Sequence, residues 1–174
     1  MANFACWILA VLACCFAVWS VEAIEEEDVL EAQEMWGSGI VNIGSQDSWE
    51  ESKEAAEDHI NTLYAYDTTG VVFKPTKASD VPFRNTFDSA LSYFVGQNDE
   101  YPEDGGFALE PWTDVRFDNK GIVLLDDAAI AGGVYYFTDT DGGETAVEYT
   151  FVYTEDEYGN LRISAHHSSL PFEG

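Results

Sequence analysis

The chain has 174 residues, the length of one domain, and carries 33 acidic against 7 basic side chains for a net charge of −26. That charge excludes nucleic acid and anionic membrane surfaces as partners, since binding phosphate needs the opposite sign. All three cysteines, Cys6, Cys14 and Cys15, lie in the first 23 residues, so residues 24–174 contain no disulfide, thiolate nucleophile or cysteine metal ligand.

Residues 1–23 are almost wholly apolar and end in Val21-Glu22-Ala23, a small-x-small pattern suited to signal peptidase; Ile24-Glu25-Glu26-Glu27-Asp28 then turns sharply acidic. This pattern predicts a signal peptide over 1–23 and a mature domain over 24–174. That domain would enter the secretory pathway, secreted or in the endomembrane lumen, with no stable membrane association after cleavage. The segment lacks a basic n-region and its apolar run is near the ~18-residue minimum for a span, so a membrane anchor is the alternative. A plastid route fits less well, because transit segments are poor in acids.

Three helices follow. In residues 28–44, Val29, Ala32, Met35, Trp36, Ile40 and Ile43 recur at helical spacing, although Gly37 and Gly39 weaken the pattern. Residues 49–65 make a clearer helix, with Ser48 and Glu51 as a capping box and an apolar stripe of Trp49, Ala56, Ile60, Leu63 and Tyr64. After a short β-rich run over 71–76, a third helix spans about 86–95, with the stripe Phe87, Ala90, Leu91 and Phe94, and ends at Gly96. From residue 107 the pattern is that of strands, over 107–117, 122–138, 145–153 and 161–169, with DNKG, DTDGG and EDEYGN as hairpin turns. Helices followed by an antiparallel meander predict an α+β fold with the helices on one face of a curved sheet.

The chemistry available is narrow. His59, His166 and His167 are the only histidines, and adjacent strand residues point to opposite faces, so a three-histidine zinc site is out of reach; two histidines plus a carboxylate remains open. The run Asp139 to Glu144 opens like a calcium loop, but Thr150 stands where a bidentate Glu is needed, and a hairpin turn explains it better. No G-x-S-x-G elbow is present. Strand alternation places His167 and Ser169 in phase with Leu161, Ile163 and Ala165 on the apolar face, and His166 and Ser168 in phase with Arg162 and Ser164 on the other, unless a bulge shifts the phase. An inward His beside a Ser, taken alone, is more often a satisfied core pair than a reactive one.

The motifs do not stand alone. FKPT (73–76), PFR (82–84), YFVG (93–96), the glycine-to-asparagine run 106–119, VEYTFVY (147–153) and the LRI and HHSSLP elements of 161–171 occur in one order, and together they resemble the iota-class carbonic anhydrases over about residues 29–172. HHSS is the most specific element; an additional histidine before His166, carried by some relatives, is missing here. The resemblance implies an NTF2-like (SnoaL-like) cone, similar to the calmodulin-kinase association domain, with a cavity between sheet and helices and a homodimer. It implies reversible hydration of CO2 to bicarbonate without a metal cofactor, with zinc or manganese dependence claimed for other members left open. It places the bicarbonate-binding hydroxyls at Thr76, Tyr93 and Ser169 or Ser168. The alternation argument selects Ser169, with His167 as its neighbour in place of His166.

CO2 needs an apolar slot beside hydroxyl donors, and Phe94, Trp112 and Tyr149 are candidates for that slot. Without a metal to acidify it, a water held by the hydroxyls must lose its proton as it attacks, and a neutral histidine is the expected acceptor. Two other functions use the same cone: a binding or oligomerisation module, and an isomerase or cyclase of the ketosteroid-isomerase type. The latter needs a carboxylate in the cavity, for which Asp114, Asp118 and Glu148 are the sheet's candidates.

Overall fold

A computed structural model describes residues 23–174, and the signal-peptide reading of residues 1–23 lies almost wholly outside them. Helices α1 (Glu26–Gly44), α2 (Trp49–Leu63) and α3 (Phe87–Val95) cover one face of a five-stranded sheet. Its strands are β1 (Val72–Lys74), β2 (Asp114–Leu124), β3 (Ala128–Thr138), β4 (Glu144–Glu155) and β5 (Leu161–Ser169), in the order β1-β5-β4-β3-β2. The α+β layout and the three helices match the sequence reading. The sheet, however, is mixed: β1 runs parallel to β5, with Phe73 opposite His166.

Each helix start is set by a side chain. Glu25 and Asp28 form a capping box on α1, and Thr86 and Ser89 one on α3. On α2 the Ser48 hydroxyl accepts from the Glu51 N–H as expected, but the Glu51 carboxylate takes the Ser48 hydroxyl instead of its backbone N–H. Gly39 does not interrupt α1, because it is a close-approach site: a Cβ there would collide with the His59 ring of α2. Met35, expected in the stripe, is 43% exposed, whereas Trp36 is buried and packs flat on Tyr135 at 5.5 Å.

Two stretches differ from the expected strand pattern. Residues 107–109 form a 3₁₀ turn, so the first long strand begins only at Asp114. The DNKG stretch is not a hairpin turn. It lies inside β2, where the register slips between Asn119 and Gly121, and the chain reverses later, at Leu125–Ala128. The bulged backbone presses on Gly133 of β3, where a Cβ would collide with the Asp118 carbonyl; only glycine lets the two strands stay paired.

A second slip sets the site. Val152 pairs with Ala165 and Tyr153 with Ile163, leaving Ser164 as an extra residue in β5. The bulge reverses the alternation beyond it. His166 and Ser168 are therefore buried, at 3% exposure each, while His167 is exposed and Ser169 half-buried. This corrects the assignment of His167 and Ser169 to the inner face. Alternation counted from Leu161 and Ile163 runs across Ser164, the residue that breaks it.

Candidate active site

His166 enters the core between β1 and β4, stacked on Phe73 with ring centroids 4.5 Å apart and edge-on to Phe151 at 4.2 Å. Its Nδ1 lies 2.9 Å from the Tyr64 hydroxyl at the C-cap of α2, and its Nε2 3.4 Å from the Tyr135 hydroxyl on β3. The Trp36 indole N–H donates to the same Tyr64 hydroxyl at 2.9 Å. Burial, with His167 and His59 adding to it, holds the His166 pKa well below that of free histidine, so the ring is neutral. Burial likewise pushes the Tyr64, Tyr93 and Tyr135 hydroxyls well above the usual tyrosine range. All three stay protonated and able to donate.

Two residues beyond His166, Ser168 turns inward again and meets Thr76, whose hydroxyl donates to Ser168 Oγ at 2.9 Å. Thr76 can reach it because β1 runs parallel to β5, which carries the FKPT segment alongside HHSS. The Tyr93 hydroxyl lies next to the same segment and accepts from the Lys77 N–H at 3.5 Å. Thr76, Tyr93, Ser168 and His166 are thus brought together. Ser169 and His167 are not: the Ser169 hydroxyl contacts Glu148 at 3.5 Å outside the cone.

Of the expected apolar slot, Phe94 is fully buried and packs edge-on to Tyr93 and on the face of Phe73. Trp112 sits farther along, against Phe107 and Phe137. Phe107, which the strand reading of 107–117 hid, is the residue stacked on Tyr93, at 5.5 Å. Tyr149 is stacked on Tyr135 at 5.1 Å, but its hydroxyl belongs to a separate pair formed by Gln33 and Asn119, at 2.6 Å from Asn119. The Tyr93 ring borders an open cavity of about 450 Å³ lined by Lys77, Asp104, Phe107, Leu109 and Glu110, with Lys77 and Glu110 paired at 2.9 Å.

Tyr93 is held in place by a buried ion pair. Arg84, fully buried, donates through Nη2 and Nε to both Asp104 oxygens at 2.7 and 3.1 Å, and Ser92 donates to the same carboxylate at 2.7 Å. The Glu103 carboxylate accepts the backbone N–H groups of Val81, Ser79 and Asp80, which hold it far below the usual carboxylate range. These contacts tie the loops on either side of α3 to one another and fix the helix that carries Tyr93.

Sequence reasoning missed Tyr64, Tyr135 and Trp36. Their apolar phase was visible, in helical stripes and in alternation with Ala131 and Phe137, but that phase identifies core, not a shared hydrogen-bond partner. The sheet carboxylates offer nothing to the cavity: Asp114 and Glu148 are exposed, and Asp118 pairs with Lys120 at the surface. Among the described residues no three His, Cys, Asp or Glu side chains are grouped to hold a metal ion.

Comparison with known proteins adds independent findings. The family model described as metal-independent carbonic anhydrase matches residues 27–170. A metal-independent carbonic anhydrase of Nostoc sp. is 41% identical over 155 residues, spanning 87% of this chain and 76% of that protein. The crystal structure of a cyanobacterial iota-carbonic anhydrase complexed with bicarbonate superposes with a TM-score of 0.85 at 40% identity, covering 87% of this chain and 95% of that one. A calcium/calmodulin-dependent protein kinase II association domain from Xanthomonas campestris, assigned as putative, superposes at 0.59 with 24% identity over 87% and 91% of the two chains. An NTF2-like protein from Pseudomonas putida does so at 0.53 with 15% identity over 85% and 87%. The last two share the fold alone.

Proposed function

Because the chain belongs to the metal-independent carbonic anhydrases, the iota class, we propose that Thr76, Tyr93 and Ser168 form the corner in which CO2 and water are joined. The reaction is the reversible hydration of CO2 to bicarbonate and a proton. The observation that carries the assignment is the 2.9 Å contact between the Thr76 and Ser168 hydroxyls with Tyr93 beside the same segment. That the cyanobacterial relative was crystallised with bicarbonate supports an anion of that kind as the ligand.

In this reading CO2 enters by the cavity that the Tyr93 and Phe107 rings and Leu109 border, surfaces that suit an apolar, linear molecule. A water held by the hydroxyl corner attacks its carbon. One C–O bond forms, one C=O electron pair moves to oxygen, and the water gives up one proton to solvent at the mouth. The Ser168 and Tyr93 O–H groups donate to the oxygens on which charge develops. His166 takes the place that alternation had given to His167. The binding-module alternative draws on fold likeness only; for the isomerase alternative, none of Asp114, Asp118 and Glu148 reaches the cavity, and the Asp104 and Glu110 carboxylates that line it are paired with Arg84 and Lys77.

CO2 hydration followed with a pH indicator by stopped flow, before and after exhaustive chelation and with elemental analysis of the same sample, tests the reading. Activity is expected to survive chelation unchanged. Loss on chelation with recovery on adding one metal would overturn the metal-free mechanism, and an inactive parent would put the binding module first.

We also infer a homodimer through the outer sheet face. Val123, Ile130, Val152, Ala165 and Val72 are successive cross-strand partners and form one apolar row over all five strands, with Val123 53% and Val72 56% exposed. Sedimentation equilibrium should give a dimer for the parent and a monomer for Val152→Lys. A parent that sediments as a monomer overturns it.

A further inference from the structure

We propose that Trp36 fixes the direction of a hydrogen-bond chain, Trp36 to Tyr64 to His166 to Tyr135, and so holds His166 in one neutral tautomer, with its only ring proton on Nε2. Trp36, Tyr64, His166 and Tyr135 are then positioning residues, and His166 is not the base. The inference rests on the reading that Ser168 meets the substrate.

The direction follows from which atoms can give and receive. An indole N–H only donates, so Tyr64 Oη must accept from Trp36 at 2.9 Å. The hydroxyl of Tyr64 is fully buried, and His166 Nδ1, 2.9 Å away, is the acceptor within reach of its proton. The opposite tautomer, with Nδ1–H donating to Tyr64, would leave a buried O–H with no acceptor, the unfavourable arrangement. Nδ1 therefore carries the lone pair and Nε2 the proton. Nε2–H points to the Tyr135 hydroxyl at 3.4 Å, which makes Tyr135 an acceptor there.

Ser168, two residues beyond His166 on the same inner face, is bonded to Thr76 at 2.9 Å. With Nδ1 taken by Tyr64 and a proton on Nε2, His166 has no free lone pair to offer that corner. A proton cannot be drawn out along the chain either, because Trp36 at its far end cannot accept one. The neutral-histidine base expected from the HHSS motif is thus replaced by a histidine locked between two tyrosine hydroxyls.

Nitrogen NMR of histidine-labelled protein reads the tautomer directly, with His166→Gln used to identify the resonances. The parent should show His166 with a bare Nδ1 and a protonated Nε2 throughout the pH range of activity. Tyr64→Phe removes the donor to Nδ1 and should populate the other tautomer; kcat/KM for CO2 should fall by roughly 10–100-fold, the usual effect of losing a supporting partner, with the circular dichroism of the parent retained. A parent with Nδ1 protonated overturns the proposal whatever the variants do. So does a Tyr64→Phe protein that folds and keeps the parent tautomer. Because the tautomer is measured without substrate, an inactive parent would count against the carbonic anhydrase site and leave the chain to be judged separately.

Discussion

Ser168→Ala should lower kcat/KM for CO2 hydration by about 10²–10³, the usual effect of losing one donor to a developing oxyanion, while Ser169→Ala stays close to the parent. The two serines are adjacent, identical in chemistry and lie in one strand, so the pair isolates direction alone. Ser168 is 3% exposed and bonded to Thr76; Ser169 faces outward to Glu148. The alanine removes one hydroxyl and almost no volume, so circular dichroism should match the parent. Stopped-flow rates of both variants settle the matter. If Ser169→Ala is the inactive protein, the Ser164 bulge does not exist in solution and the alternation counted from Leu161 holds. If both variants keep full rate, the HHSS segment is structural and the hydroxyl corner is not where the reaction occurs.

That contrast also marks how far the sequence could be read. The helices and their stripes were legible, because capping and periodicity are local properties; Thr76, Tyr93 and the HHSS segment were picked out only by the order of motifs shared with a family, and the fold brings FKPT alongside HHSS. The facing of HHSS was not, because one unpaired residue, Ser164, inverts everything after it and nothing in the composition of LRISAHHSS betrays the slip. The same blindness applies to DNKG, whose turn-like residues sit in a bulge because Gly133 on the opposite strand makes room for it. Tyr64 was seen as core, Tyr135 only as part of a strand, and both were missed as polar partners. Their hydroxyls meet at His166 only after α2, β3 and β5 have packed together, and that contact spans a sequence separation no local pattern encodes.

Acid should destabilise the protein well before its carboxylates titrate. Burial lowers the His59 pKa to about 3 and holds that of His166 well below the free value. Both are neutral in the folded protein, whereas in the unfolded chain each binds a proton below about pH 6.5. The unfolded state therefore holds more protons over this range, and stability rises with pH up to about 6.5, is level above it, and is lost as pH falls. Each histidine contributes about 1.4 kcal/mol per pH unit, so at pH 5 the two together remove about 4 kcal/mol, a large share of the roughly 5–15 kcal/mol typical of a domain. The Glu51, Glu54 and Asp58 side chains line the cavity over His59 and favour its charged form, but its ring lies among Trp36, Tyr64 and Phe94, and desolvation prevails. Urea unfolding at pH 7.5, 6 and 5 measures the slope. His59→Leu removes one of the two titrations whatever it does to absolute stability, so the slope between pH 6 and 5 should fall by about half. A parent whose stability is flat from pH 7.5 to 5 would mean that both rings are protonated while folded; the neutral His166 on which the Tyr64–His166–Tyr135 contacts depend would then be wrong.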